Sequence, residues 1–304
     1  MTQLPIDVFA HVLAPNFYQK MLAIDPSIPE KAPYVNAPAL TDMQFRHDHM
    51  QVQTQQIISM MNLNPEDFTD PQTAFDLCTF GNAELETLVT THPDQFIGAV
   101  AMLPLNNPDG VTSIMRTIAT QPYLLGIQLF TRALGESIAD PAYDYIFKLA
   151  NKLSLPIWLH PVFDDRKPDN NIVFSWEYEL SLAMQQLVSA GIFERYPALK
   201  IIVHHAGAMV PFFSGRINAI LPADQAAAFH QFYVDTAILG NPTALKLTVE
   251  FFGADHVFFG TDAPLGLPPV GASQEIIEAI TTMTADVTLQ KQILFKNAQA
   301  LSNH

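Results

Sequence analysis

Short apolar runs that suit β-strands alternate with helical patterns along this 304-residue chain, and this alternation most constrains its fold. Strands that alternate with helices favour parallel βα units over a β-sandwich. The runs that we predict as strands are Leu4–Ala10, Gln53–Met60, Phe96–Leu103, Leu124–Phe130, Pro156–His160, Lys200–His205, Phe232–Thr236 and His256–Thr261. Because about eight parallel strands close a barrel, the sequence predicts an α/β fold with a single (β/α)8 barrel.

Helical patterns, with apolar residues three and four apart, fill the gaps between these strands. The predicted helices are Asn82–Thr91, Gly110–Ala119, Tyr143–Leu153, Tyr178–Arg195, Val210–Leu221, Thr243–Phe252 and Gln274–Thr282. Asn107, Asp140 and Asn241 each precede a proline, which is typical of a helix start. No linker separates the elements, so we expect one domain over residues 1–304. The proline-rich stretch 14–38 and the polar stretch 161–175 are read as rim insertions, or else as ordinary surface loops.

The composition excludes several classes of partner. The net charge is −15, from 15 Lys and Arg against 30 Asp and Glu, and a chain this acidic repels nucleic acid and anionic membranes. No apolar run reaches the roughly 18–20 residues that span a bilayer, and residues 1–15 lack the pattern of a signal peptide. Cys78 has no second cysteine to pair with. We therefore expect a cytoplasmic protein.

Polar residues at the ends of the predicted strands carry the chemistry. His11, His160, His204, His205 and Asp262 each follow or end an apolar run. In a barrel these strand ends converge, and imidazoles with a carboxylate suit Zn²⁺ or a similar divalent ion. A single His or Asp at a strand end is more often a hydrogen-bonded capping residue, but the joint pattern favours a metal or acid–base site. Since adjacent strand side chains point to opposite faces, we expect only one of the two neighbouring histidines to face the interior.

Several motifs, in order, give the chain a family resemblance. They are Ile6–His11, His92–Phe96, Ala101–Leu105, Gly126–Leu129, Leu155–Pro161, Gly191–Pro197, His205–Ile217, Phe259–Pro264 and Lys296–Ala298. With them the chain resembles the amidohydrolase-related proteins typified by aminocarboxymuconate-semialdehyde and resorcylate decarboxylases. The resemblance implies a metal-dependent TIM barrel that removes a carboxylate from an unsaturated or aromatic acid.

The resemblance also implies roles for the strand-end residues. His11, His160 and Asp262 match metal ligands, for which Zn²⁺ is favoured and Mn²⁺ is the alternative. His205 matches the histidine that works on metal-bound water, which would leave His204 facing outward. In a related hydrolase, the carboxylate that corresponds to Asp262 also handles the proton, so we count it as catalytic.

Three more residues are candidate substrate contacts. Arg216 matches an arginine that crosses a dimer interface to hold a substrate carboxylate, so we expect a homodimer. Arg46 lies near the place of another carboxylate-binding arginine, although either arginine could instead form a surface ion pair. Trp176 and Glu177 follow the second insertion and are placed to line the pocket, or Trp176 packs in the core.

One position departs from the family pattern. Phe9 stands where the family has its first metal-binding His or Glu, and a phenyl ring cannot bind an ion. Asp7, two residues before Phe9, lies on the same face of the predicted strand but deeper in the barrel. Three hypotheses stay open: a metal-dependent decarboxylase without an organic cofactor, a metal-dependent hydrolase of a lactone or related ester or amide, and a metal-free barrel with a binding or regulatory role.

Overall fold

The computed structural model describes residues 3–301, and most of its strands belong to one curled sheet. The strands are β1 Ile6–Val12, β2 Gln55–Met60, β3 Phe96–Ala101, β4 Leu124–Phe130, β5 Arg132–Ala133, β6 Glu136–Ser137, β7 Ile157–His160, β8 Ile201–Val203 and β9 Tyr233–Val234. Seven of them form a sheet in the order β1-β2-β3-β4-β7-β8-β9, and every pair in it is parallel. The short pair β5 and β6, which the pattern did not predict, is an antiparallel hairpin after β4.

The eighth predicted strand, His256–Thr261, is not a regular strand. It instead forms isolated parallel bridges to the two edges of the sheet, from Val257 to Val234 of β9 and, just beyond the predicted run, from Ala263 to Ala10 of β1. Its first residue, His256, belongs to a 3-10 turn over Ala254–His256, and just after the run the backbone turns through a left-handed conformation at Asp262, with φ +63°. The segment nevertheless joins the first and last strands through hydrogen bonds, which include one of 2.9 Å from Val8 N to Phe259 O.

Helices cover the outer face of the sheet. Those of the described part are α1 Pro15–Ile24, α2 Ile28–Lys31, α3 Met43–His49, α4 Pro71–Thr91, α5 Pro108–Ile118, α6 Asp144–Leu153, α7 Ser175–Ser189, α8 Ile192–Arg195, α9 Ser214–Ile220, α10 Ala223–Ala228, α11 Pro242–Phe252, α12 Ser273–Met283, α13 Val287–Lys291 and α14 Asn297–Gln299. The predicted caps are in place at two helix starts: Asn107 accepts from Gly110 N, and Asn241 accepts from Thr243 N. The third, Asp140, caps a short 3-10 turn ahead of α6.

Three predicted helix boundaries are wrong for local reasons. Helix α4 begins at Pro71 rather than at Asn82, because Asp70 caps it by accepting from two backbone N–H groups. The predicted helix Tyr178–Arg195 is broken at Gly191, whose φ of +67° is left-handed. Of the predicted helix Val210–Leu221, only α9 is α-helical. The stretch 14–38 holds two short helices and two 3-10 turns, as its prolines require.

Apolar side chains fill both sides of the curled sheet. The larger core lies between the sheet and the helices. A second cluster draws one residue from each of several strands and so lies inside the curl; it includes Val8, Ile57, Val100, Leu125, Trp158, Ile202 and Phe258. Trp158 Nε1 donates to Val8 O at 2.9 Å across this cluster. The inner cluster closes one end of the sheet, and polar groups are left at the other. No helix within residues 3–301 combines the length and apolarity that crossing a bilayer requires.

Candidate active site

A bulge in β1 sets up the floor of the site. The pairing of β1 with β2 shifts register between Asp7 and Ala10. The Asp7 carboxylate accepts from Phe9 N at 3.0 Å, from Thr261 N at 3.1 Å and Oγ1 at 2.5 Å, and from Gln56 Nε2 at 3.2 Å. Burial raises the pKa of Asp7 to about 7 despite these bonds. Asp7 is therefore committed to the fold and does not replace a metal ligand at position 9.

Five aromatic rings converge at the carboxyl ends of β1, β7 and β8. The centroid of the Phe9 ring lies 3.4 Å from that of His204, 4.8 Å from His11, 5.6 Å from His160 and 5.9 Å from His205. The four histidines are buried. The structure thus brings together all four histidines that the sequence placed at strand ends.

The expectation that His204 faces outward is wrong, since its ring stacks on Phe9. The alternation of side chains applies only within a strand, and β8 ends at Val203. Beyond it, His205 and Ala206 have left-handed φ values of +55° and +57°. This turn brings two consecutive histidines to the same site.

Hydrogen bonds at Nδ1 orient two of the imidazoles. His160 Nδ1 donates to Pro161 O at 2.7 Å, so its Nε2 carries the lone pair. His11 Nδ1 is hydrogen-bonded to Ser59 Oγ at 2.9 Å. Burial, and then the neighbouring His11, lower the pKa of His160 well below its usual range. His160 is therefore neutral at physiological pH and presents an acceptor nitrogen.

Asp235 orients His204 in the same way, and our sequence reasoning missed it. Its Oδ2 lies 2.7 Å from His204 Nδ1, and its Oδ1 accepts from Ala206 N at 3.2 Å and Ala237 N at 2.9 Å. Burial raises the pKa of Asp235 to about 6 and lowers that of His204 well below its usual range. The sequence did contain a signal for Asp235: it is an acidic residue near the end of the seventh predicted strand, the same pattern that identified Asp262 as a candidate.

His205 carries the site's protonated imidazole. Its Nδ1 lies 2.8 Å from Glu177 Oε1. Burial alone would lower the pKa of His205, but the hydrogen bond and charge of Glu177, with smaller contributions from Asp262 and Asp235, raise it to about 9. His205 is therefore a cation at neutral pH, and its second ring nitrogen also carries a proton.

Trp176 closes the site from the start of α7. Its ring centroid lies 6.2 Å from that of His160 and 6.1 Å from that of His205, and it stacks on Phe163. Trp176 Nε1 is buried without a hydrogen-bond partner among the described residues. An unpaired buried N–H is unfavourable unless a further group accepts from it, so this donor is available to a ligand.

A cavity of 510 Å³ opens near the site, but neither the five rings nor Trp176 line it. Its wall includes Phe130, which contacts the His160 ring, and Phe163, which stacks on Trp176. Residues from both predicted rim insertions line it as well, among them Ile28 and Asp164. The volume is in the range of pockets for small organic ligands.

The expected metal donors are only partly in place. His11 Nε2 is buried, has no hydrogen-bond partner and lies 3.2 Å from Asp262 Oδ1. Two ligands of a tetrahedral ion with bonds of about 2.0–2.1 Å have a similar spacing, so this pair fits a shared ion. Across residues 3–301, however, no three His, Cys, Asp or Glu side chains are arranged to hold an ion. His160 therefore does not complete a closed three-donor set with His11 and Asp262.

Arg46 is not placed to bind a substrate. Its side chain is fully buried. It donates to Gln56 Oε1 at 2.9 Å, to His11 O at 2.7 Å, to Ala39 O at 3.1 Å and to Ala263 O at 3.3 Å. Burial lowers its pKa to about 10. Arg46 thus ties the end of β1 to the segment that joins the sheet edges, and the expected carboxylate contact is wrong.

Arg216 lies away from the rings, on the surface. It is exposed on α9, a helix without buried residues. Its side chain has no hydrogen bond or ion pair with any residue in 3–301. Exposed apolar residues flank it: Phe212 is 75% exposed and Ile220 is 63% exposed. Within one chain, Arg216 does not reach the other candidate residues.

A group of charged residues fastens the second insertion to α7. We name Arg132, Asp164, Lys167 and Glu179 the rim cluster. Arg132 lies 3.0 Å from Glu179 Oε2 and 3.2 Å from Asp164 Oδ2, and Lys167 pairs with Glu179. Glu179 is buried, with its side chain 2% exposed. These pairs hold the loop 161–174 against the first turns of α7.

Comparisons with known proteins agree with this architecture. The sequence profile of the amidohydrolase family matches residues 6–301. The chain is 29% identical over 244 residues to the 2-amino-3-carboxymuconate-6-semialdehyde decarboxylase of Dictyostelium discoideum, covering 75% of this chain and 67% of that one. It is 30% identical over 159 residues to the 6-methylsalicylic acid decarboxylase of Penicillium expansum, covering 46% of this chain and 48% of that one. It thus aligns with about half the length of the second relative.

A solved structure shares the fold over the whole chain. The 5-carboxyvanillate decarboxylase of Novosphingobium aromaticivorans DSM 12444, complexed with manganese and 4-hydroxy-3-methoxy-5-nitrobenzoic acid, superposes with a TM-score of 0.83. The superposition covers 100% of this chain and 97% of that one, at 18% sequence identity. At this level of identity the likeness shows the fold alone.

Proposed function

Since this chain belongs to the amidohydrolase family, we propose that it is a carboxy-lyase that releases CO₂ from an aromatic or unsaturated carboxylic acid. The observation that carries this proposal is protonated His205, in an ion pair with Glu177, beside neutral His160 at the strand ends. We further propose that the chain is one domain, a (β/α)8 barrel in which the segment around Val257–Ala263 takes the eighth strand position. The bridges of that segment to both sheet edges support this interpretation.

His205 is the proposed proton donor. In an aromatic acid, the carbon that bears the carboxylate accepts a proton from His205 Nε2. The bond from that carbon to the carboxylate then breaks, its electron pair restores the aromatic ring, and CO₂ leaves. Histidine recovers its proton from solvent. A donor whose pKa lies near or above the working pH is protonated before the step begins.

A divalent ion is part of the proposal, with His11, His160 and Asp262 as the residues that would hold it; in the structure only His11 and Asp262 have the spacing of a shared ion, so His160 must move toward them when the ion binds. Bound manganese in a decarboxylase of the same fold and the unpartnered His11 Nε2 beside Asp262 support it. When bound, such an ion would supply Lewis-acid charge to a substrate oxygen. Zn²⁺ and Mn²⁺ both suit imidazole and carboxylate ligands. The role of the chain's own residues is to orient these donors, through Ser59 for His11 and Pro161 for His160.

The substrate binds, in this proposal, at the inner end of the cavity, where Phe130 contacts His160 and Phe163 stacks on Trp176. The unpaired Nε1–H of Trp176 donates to a substrate oxygen, and Phe130 and Phe163 exclude water from one side. We also propose a homodimer, in which the exposed α9 surface with Phe212 and Ile220 is covered and Arg216 reaches the carboxylate in the partner's site. Exposed apolar side chains around an unpaired arginine support such an interface.

CO₂ release tests the proposal. The purified protein, assayed with Mn²⁺ or Zn²⁺, is given 2,6-dihydroxybenzoate, 6-methylsalicylate and other aromatic or unsaturated acids, and a panel of lactones is assayed for acid production. We expect CO₂ from at least one acid. Turnover of lactones alone would replace the proposal with a hydrolase.

A further inference from the structure

Glu177 links the site to the rim of the fold. It lies in the first turn of α7, and its Oε1 is 2.8 Å from His205 Nδ1. The His205 side chain is 7% exposed and that of Glu177 is 24% exposed. The pair therefore lies at the open side of the ring cluster, and the carboxylate approaches from the solvent side.

The position of Glu177 depends on the helix that carries it. The chain just ahead of α7 is fixed by Asn171, whose Oδ1 accepts from Phe174 N and whose backbone N–H donates to Ser175 Oγ. The rim cluster adds a tertiary constraint, because buried Glu179 in the same part of the helix is held by Arg132 and Lys167. Ser181, further along α7, accepts from Met209 N, which lies shortly after His205 in the chain.

We propose that Glu177 is a positioning residue for His205, and that the rim cluster holds Glu177 in place. The Glu177 carboxylate accepts the Nδ1–H, which fixes the plane of the imidazole and directs Nε2 into the site. An imidazole without this partner is free to rotate or to change tautomer. This inference rests on the proposed function, in which His205 donates the proton.

A purely structural role predicts different behaviour. An acidic side chain in the first turn of a helix stabilises that helix through its dipole. In that case, removal of Glu177 would lower the stability of the protein and leave the chemistry of His205 unchanged. The two roles are separated by signals that come from the imidazole itself.

The experiment compares E177A, E177Q and the control E278Q with the wild type. Glu278 is a matched control because it is an exposed helical glutamate that accepts a hydrogen bond from Gln274. Imidazole N–H proton resonances are recorded for each protein, and kcat and KM are measured by CO₂ release from whichever acid of the panel, beginning with 2,6-dihydroxybenzoate, the wild type converts fastest. We expect E177A to lose the Nδ1–H resonance of His205 and about tenfold or more in kcat, with a smaller change in KM. We expect E177Q to keep the resonance and to lose less kcat than E177A, because the amide oxygen still accepts the hydrogen bond from His205 Nδ1–H. E278Q matches the wild type.

The other possible results also distinguish a positioning role of Glu177 from a purely structural one. An E177A protein with the wild-type resonance and kcat would overturn the inference. R132M tests the rim cluster without changing Glu177. We expect a weaker His205 Nδ1–H resonance and a partial loss of kcat in this variant. Wild-type values of both would show that the rim cluster does not hold Glu177 in place. If the wild type releases no CO₂ from any acid, the proposed function fails, while the resonances of the E177A protein still test the positioning of His205.

Discussion

The phenyl ring of Phe9 lies face to face with the imidazole of His204, with ring centroids 3.4 Å apart and planes 15° apart. Gly260 packs closely against both neighbours of this stack, since a Cβ atom added to it would lie 3.1 Å from Phe9 Cβ and 2.7 Å from Asp235 Cβ. The Phe9 ring therefore lies among the four imidazoles and contributes no atom that could bind a metal ion.

Replacement of Phe9 by histidine should restore a donor at this position. We expect Phe9→His to bind Mn²⁺ about tenfold or more tightly than the wild type, because one more imidazole nitrogen joins the His11–Asp262 pair. Titration calorimetry and the metal content after dialysis measure the change. Phe9→Leu, which keeps the position apolar, is the control. Equal affinity in the Phe9→His and Phe9→Leu proteins would show that position 9 does not limit ion binding.

Separate roles for His205 and Asp262 predict different losses in two variants. His205→Ala removes the proton donor, so it should keep bound metal and lose about a hundredfold or more in turnover. Asp262→Ala removes a ligand, so it should lose both metal and turnover. Elemental analysis and CO₂ release give the two readouts. Undiminished turnover in His205→Ala would exclude this residue from proton transfer.

The His205–Glu177 pair predicts a pH-dependent stability. The folded-state pKa of His205, about 9, lies above its ordinary value of 6.5, so the folded protein binds the proton more tightly. The stabilisation is fully present below pH 6.5 and is lost as the pH rises through 9. Glu177→Gln should therefore reduce the free energy of unfolding most at about pH 6 and least at about pH 10.

Urea denaturation of both proteins across this pH range measures that difference. Asp7 and Glu66, whose pKa values burial raises to about 7 and about 8, titrate in both proteins, so their effect cancels. If the free energy of unfolding of the Glu177→Gln protein is lower than that of the wild type by the same amount at every pH, the result would contradict the ion pair.

Burial of Arg46 predicts a loss of stability rather than of substrate affinity. Arg46→Met removes the Arg46 donors from Gln56 Oε1 and from the carbonyls of His11 and Ala39, while Ala263 O keeps its bond from His11 N. We expect the free energy of unfolding to fall by about 3 kcal/mol or more, since an unsatisfied buried group is expensive. Denaturant titration measures it, with exposed Arg116→Met as the control. A stable variant with a raised KM would restore the substrate role.

Much of the fold followed from hydrophobic periodicity. Seven of the eight predicted runs contain strands of one parallel sheet, because β-branched and aromatic runs bury well only in such a layer. The eighth run differs, since it begins in a 3-10 turn and makes one bridge, from Val257 to Val234; the left-handed turn that follows it at Asp262 has no signature in residue type. Helix α4 was truncated in the prediction because Asp70 followed by Pro71 was not used as a start signal.

The sequence by itself determined which residues could do chemistry: the histidines and Asp262 at strand ends, and the phenyl ring at position 9. Only the tertiary structure decided how they are used. Backbone turning after Val203 brings His204 and His205 to one site, the distant Glu177 and Asp235 set their charge and orientation, and Arg46 is buried in a structural role. Periodicity reports which face of an element is apolar. It carries no information on which distant carboxylate meets which imidazole, and that contact sets the charge of each histidine.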